Sequence, residues 1–168
     1  MSAPRLARPR RFLLAAVSIL LAAGAPVGAQ QPKLAVAPEL RVDVLGGHGT
    51  SVQGGAGVQI PAGAYVRVGV IAAAGSRWRD GSSRTDGRVD VLARFLIDPF
   101  RQSEWGLSAG GGVTLSAMSG DRVRPHLLVA VDLEGPCTLH GLSPAFQVGL
   151  GGGVRAGFGL RWSGRVTR

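Results

Sequence analysis

Eight segments of this chain alternate apolar and polar side chains with a period of two, and this alternation limits the possible folds more than any other feature. Period two is the mark of β-strands with two unlike faces. Leu40, Val42 and Val44 alternate with Arg41 and Asp43. Val52, Ala56, Val58 and Ile60 share one parity, and Ala64, Val66, Val68 and Val70 alternate with Tyr65, Arg67 and Gly69. The fourth segment sets Val89, Val91, Ala93, Phe95 and Ile97 against Arg88, Asp90, Leu92, Arg94 and Leu96. Trp105, Leu107, Ala109, Gly111, Val113 and Leu115 form the fifth. In the sixth, Leu127, Val129, Val131 and Leu133 oppose His126, Leu128, Ala130 and Asp132. Phe146, Val148 and Leu150 make a short seventh, and Val154, Ala156, Phe158, Leu160 and Trp162 an eighth opposed by Arg155, Gly157, Gly159 and Arg161. Most of these runs are about eight to twelve residues long, and a strand that crosses a membrane needs about nine to eleven.

Strand breakers fall at Gly46-Gly47, Pro61-Ala62-Gly63, Gly75 to Gly87, Asp98-Pro99, Ser119-Gly120-Asp121, Glu134 to Pro144 and Gly151-Gly152-Gly153. The pattern predicts an all-β chain: an eight-stranded antiparallel up-and-down barrel. Because the parity of Phe146 carries through Gly152 to Trp162, the last two segments also read as one long bent strand. No longer period suggests a solenoid or propeller.

The N-terminus decides which solvent the barrel meets. Arg5, Arg8, Arg10 and Arg11 precede an apolar run from Phe12 to Ala25, and Val27-Gly28-Ala29 supplies the small residues of a cleavage site. That order is a secretory signal, with Gln30 the expected first mature residue. The run is about fourteen residues, short of the roughly twenty of a spanning helix. Pro26 and Gly28 also break it, which argues against an uncleaved anchor. The expected organisation is a signal peptide at 1–29, a flexible leader at 30–38, the barrel at 39–163 and a short tail at 164–168.

With the signal removed, fifteen basic residues face ten acids, a net charge of +5. The charges are interleaved along the chain, so no nucleic-acid partner is expected. Cys137 is the single cysteine, which excludes a disulfide scaffold and a cysteine metal cluster.

An exported barrel with one apolar face puts that face inward if it is soluble, as in a lipocalin-like binder of apolar ligands, and outward if it sits in lipid. The polar face favours lipid. It consists mostly of Gly, Ser, Ala, Arg and Asp, small residues and opposite charges that fit and pair in a narrow lumen. Arg41, Arg67, Arg88, Arg94, Arg124, Arg155 and Arg161 share it with Asp43, Asp90, Asp132 and His126. Buried charges persist when paired and hydrogen-bonded. Closure and parity together place Arg155 and Arg161 within reach of Asp43. Trp105, Phe146 and Trp162 lie at strand ends, where aromatic rings form girdles at the membrane boundary, and Tyr65 and Phe100 suit the same belt. The expected place is the bacterial outer membrane, with both termini periplasmic and outer-membrane lipid as a partner.

The segments Arg94-Phe95-Leu96-Ile97-Asp98-Pro99-Phe100, Gly110-Gly111-Gly112-Val113 and Gly149 to Gly157 resemble small bacterial outer-membrane β-barrel proteins of uncharacterised function. The resemblance covers most of the mature chain. It implies an interaction with the barrel-assembly machinery, which reads a terminal aromatic. Trp162 has the alternating context for that role, although Ser163 to Arg168 follow it.

No cofactor, metal or catalytic site is expected. His48, His126 and His140 are too scattered for metal-ligand spacing. His126 shares a face with Asp132, a thin imitation of the Ser-His-acid arrangement of lipid-modifying barrel enzymes, and its relation to Ser108 depends on register. A lumen hydrogen-bonding role is the plainer reading. The leading function is structural or surface-interacting, through loops; the alternatives are a lipid-modifying enzyme embedded in the barrel and a soluble periplasmic lipocalin-like binder of apolar ligands. In the long polar segment Gly75 to Gly87, Arg77, Trp78, Arg79 and Arg84 suit lipopolysaccharide phosphates, since Arg forks match phosphate and Trp favours the interface. The alternative is a solvated loop with local salt bridges.

Overall fold

Alternation of this kind asks for a sheet with one covered face, and here the sheet covers it by rolling up on itself. The structure, a computed structural model, describes residues 36–47, 49–100, 103–138 and 140–162. The signal segment, most of the leader, His48 and the tail lie outside the described residues. Eight strands follow in order: β1 (Ala37–Gly47), β2 (Gly49–Pro61), β3 (Val66–Arg79), β4 (Ser82–Leu96), β5 (Gly106–Met118), β6 (Arg124–Glu134), β7 (Leu142–Leu150) and β8 (Val154–Trp162). Each pairs antiparallel with its chain neighbours, and β8 returns to β1 to close the barrel. β7 and β8 are separate strands joined at Gly151 to Gly153, so the single bent strand is excluded.

The seam between β1 and β8 sets Leu40 opposite Leu160, Val42 opposite Phe158 and Val44 opposite Ala156, all on the outer face. Glu39, Arg41, Asp43 and Leu45 point inward beside Arg161, Gly159, Gly157 and Arg155. Closure satisfies backbone groups that an open edge would leave unpaired, at several kcal/mol each in lipid.

The apolar face is outside on every strand. Val42, Val91, Val113, Val129 and Phe158 are each about half exposed, while Asp43 and Asp132 are fully buried. This polarity excludes the lipocalin-like alternative, in which the Val89, Val91 and Phe95 face would line a cavity. Within the lumen, Leu92, Leu128 and Ala130 form a small apolar cluster against one wall.

Glycine lets the wall curve so tightly. At the inward positions Gly57 and Gly112 a Cβ would run into the carbonyl oxygens of Val70 and Val91 on the adjacent strands. A side chain there would force the strands apart, which is why the polar face is so rich in Gly.

Two boundaries differ from the sequence reading. β1 begins at Ala37, inside the expected leader. More importantly, Gly75 to Gly87 is not a loop: β3 runs to Arg79, β4 starts at Ser82, and a two-residue turn joins them. Asp80 (φ 49°) and Gly81 (φ 73°) both take the left-handed conformation of a tight hairpin turn. This hairpin, the longest in the barrel, lies at the end opposite the start of β1 and the end of β8.

Candidate functional site

Inward parity brings the charged residues of five strands, β1, β3, β4, β6 and β8, into one lumen. Arg41, Asp43, Arg88, Asp90, Arg94, Asp132, Arg155 and Arg161 are all buried there, and Arg67 is half-buried. The interior also holds polar groups that the sequence reading did not assign: Glu39, Asp86, Glu134, Gln53, Gln59, Gln147 and Thr114.

These groups form a continuous ladder of alternating charge. Arg67 pairs with Glu134 (2.9 Å), and Glu134 with Arg161 (3.2 Å). Arg161 also pairs with Glu39 (3.1 Å) and Asp132 (2.6 Å). Glu39 meets Arg41 at 3.5 Å, and the Arg41 guanidinium forks onto Asp43. Asp43 in turn binds Arg88, Arg88 binds Asp90 (3.1 Å), and Asp90 binds Arg155 (2.8 Å). Arg94 joins through Asp132 at 2.9 Å.

The amide of Gln147 ties the branches together. It accepts from Arg41 (2.6 Å) and Arg155 (2.9 Å) through its oxygen and donates to Asp132 (2.9 Å). Thr114 donates to the second oxygen of Asp90.

The closing-strand arginines enter the lumen as expected, but neither reaches Asp43. Arg155 goes to Asp90 and Arg161 to Glu39, Asp132 and Glu134. The register explains this. Asp43 stands opposite Gly157, midway between the two arginines, and its carboxylate is already held by Arg41 and Arg88. Arg67–Glu134, Arg88–Asp43 and Arg155–Asp90 join strands that are not neighbours in the sheet, so each of these pairs is also a cross-brace. Little is gained from a buried pair as such; the cost lies in breaking it, which strands a charge. The ladder therefore fills the barrel and holds its strands in register.

Above the ladder the barrel opens into a cup of about 1280 Å³ at the end of the tight turns. Gln53, Arg88 and Thr114 form its floor, and Arg77, Arg84, Arg122 and Arg124 are among its walls. Arg124 and His126 have the expected inward parity, but they sit at this mouth, Arg124 exposed and His126 half-buried. The Arg-Trp-Arg tip does not act as one surface. Arg77, Arg79 and Arg84 line the cup, whereas Trp78 is exposed on the opposite, outer face of its strand. Arg77 pairs with Asp86 (2.8 Å) and Arg79 with Asp80 (3.1 Å).

Register also decides the His126 question. Thr114 stands opposite His126, and Ser108 opposite Asp132, six residues further along the same pair of strands. At about 3.4 Å per residue, that separates Ser108 from His126 by roughly 20 Å. Among the described residues no hydroxyl is hydrogen-bonded to His126, and no three His, Cys, Asp or Glu side chains gather where they could hold a metal. Acids and arginines alternate in the lumen, so each carboxylate is spent on a guanidinium.

On the outside, Tyr65 stacks on Phe95 (5.9 Å between centroids) and meets Phe100 edge-on (6.0 Å). With exposed Trp105, this cluster marks the end of the barrel where β1 starts and β8 finishes; among the described residues Trp78 is the one exposed Trp, Tyr or Phe at the other end.

No protein-family model matches the chain, and no curated protein does. Two solved structures share its fold. The de novo designed TMB2.3 is 11% identical, with 82% of this chain and 99% of that one aligned at a TM-score of 0.51. Neisserial surface protein A is 13% identical, with 77% and 96% aligned at a TM-score of 0.51. Both are transmembrane β-barrels, and at these identities the likeness is one of fold: a closed, eight-stranded, antiparallel barrel.

Proposed function

We propose that this chain is an outer-membrane β-barrel, exported by its N-terminal signal, that serves as a sealed scaffold presenting its mouth and its long β3–β4 hairpin at the membrane surface. The observation that carries this reading is the barrel's polarity. A band of exposed Val, Leu and Phe surrounds a lumen of buried ion pairs. In water that arrangement would expose the apolar face and bury the charges, losing on both counts; in lipid it gains on the first.

Outer-membrane lipid is then the solvent of the outer face, and the barrel-assembly machinery inserts the chain through the strand ending at Trp162. The termini are periplasmic, so the turn-end cup faces the exterior. Trp78 supports contact between the hairpin tip and lipopolysaccharide headgroups; Arg77, Arg79 and Arg84 are turned toward the cup instead.

Fractionation of cells expressing the full chain tests the proposal. The protein is expected in the outer-membrane fraction, resistant to carbonate extraction. Release into the soluble periplasmic fraction without detergent would contradict it.

A further inference from the structure

We propose that the cup at the barrel's mouth binds a phosphate-bearing anion, held by Arg84, Arg122 and Arg124 with His126 below them. The first support is a contrast in pairing. Each arginine of the ladder beneath has a carboxylate partner. In the cup, Arg77 and Arg79 have one each, but Arg84, Arg122 and Arg124 have none among the described residues. Asp121 on the rim is the single further acid of the lining, so positive charge is in excess there.

The second support is the register. Arg77 and Arg84 are directly opposed across the hairpin, both facing the cup. Like charges directly opposite destabilise a strand pair. Asp86 relieves Arg77 and leaves Arg84 uncompensated. One step further in, Ser116 pairs with Arg88 on one side and with Arg124 on the other, so two arginines flank a hydroxyl in one lateral row. His126 follows Arg124 on the same face, its ring against Gly152. A local conflict of this kind, left unresolved by the fold, is what a ligand site looks like before its ligand arrives.

The third support is size and closure. The cup exceeds the roughly 300–1,000 Å³ of a drug-sized pocket. It therefore suits a group with more than one charge rather than a single small ion. Its floor is closed by the ladder, so an anion that enters is retained and not conducted. Guanidinium forks present paired donors to the oxygens of a phosphate, and several converging forks favour a polyphosphate or a multiply phosphorylated sugar.

The binding is independent of which side of a membrane the mouth faces, so it is testable on the purified chain. The full-length protein is folded in zwitterionic detergent and titrated calorimetrically, in one arm with pyrophosphate and in the other with diphosphorylated lipid A in the same detergent. Binding of about one ligand per chain is expected in at least one arm, weakened at least about tenfold in Arg84→Gln/Arg124→Gln and partly kept in Arg84→Lys/Arg124→Lys. A response to pyrophosphate marks a solvent-borne ligand, and a response to lipid A alone marks a headgroup. Thermal unfolding of neither variant should fall below the parent's, because these side chains are exposed with no internal partner, and loss of the Arg84 charge only relieves its repulsion with Arg77. Absence of binding in both arms, or binding undiminished in the Gln variant, would show an ordinary solvated rim and overturn the proposal.

Discussion

Asp43 on the first strand stands opposite Gly157 on the last, and its carboxylate fills the space that a side chain at position 157 would need. The seam that closes the barrel is thus also where the ion ladder crosses from β1 to β8. Gly157→Ala would drive a methyl group into Asp43 and Arg41, and overpacking of this kind costs about 1–3 kcal/mol. Urea unfolding in detergent should show that loss. Gly54→Ala, on the outer face with nothing within 4 Å, should leave the midpoint unchanged and serves as its control.

Parity was legible in the sequence wherever lipid lies on one side and packed charge on the other. Val89 to Ile97 and Val154 to Trp162 needed no more than alternation to assign both strand and face. The same rule failed at Arg77 to Asp86. Beyond the membrane both faces of a strand are wet, so apolar residues no longer mark the outer one. The parity persists there all the same: Arg77, Arg84 and Asp86 continue the inward positions of their strands, and Asp80-Gly81 is itself a strong hairpin signal. Glu39, Glu134 and Gln147 were also legible by parity, as extensions of Arg41, Asp132 and Ala145. Which arginine meets which acid was not, because a partner across the lumen depends on the stagger of closure, and one sequence does not encode that stagger as a local pattern.

Unequal pairing within the ladder predicts unequal losses. The Arg94 side chain makes its hydrogen bond to Asp132 through Nε, while both terminal nitrogens are buried without a partner. Asp132→Ala therefore strands a buried guanidinium and should destabilise the barrel by about 3–5 kcal/mol. Asp90→Ala should cost less, since Arg88 keeps Asp43 and Gln53, and Arg155 keeps Gln147. Chemical unfolding of the two variants under identical detergent conditions gives the order directly; the reverse order would place the main support of Arg94 elsewhere.

The outer face predicts a response that depends on the surroundings. Val91 faces outward in mid-strand, flanked by Val70 and Val113 on the neighbouring strands. Val91→Arg in a lipid bilayer should destabilise by about 2–4 kcal/mol, as a basic residue does near the bilayer midplane of a barrel. Unfolding in lipid vesicles measures the loss. A neutral effect there would mean that Val91 faces water.

Closure of the sheet is measured most directly by crosslinking across its seam. Val42 and Phe158 are opposed on β1 and β8, and Val91 and Val113 are opposed on the adjacent strands β4 and β5. Each pair is converted to cysteines in a Cys137→Ser background, and the native protein is oxidised in detergent. A closed barrel yields a disulfide between positions 42 and 158 as readily as between 91 and 113. Efficient crosslinking of the 91–113 pair with none across 42–158, or across any neighbouring register of β1 and β8, would leave an open sheet and contradict the barrel.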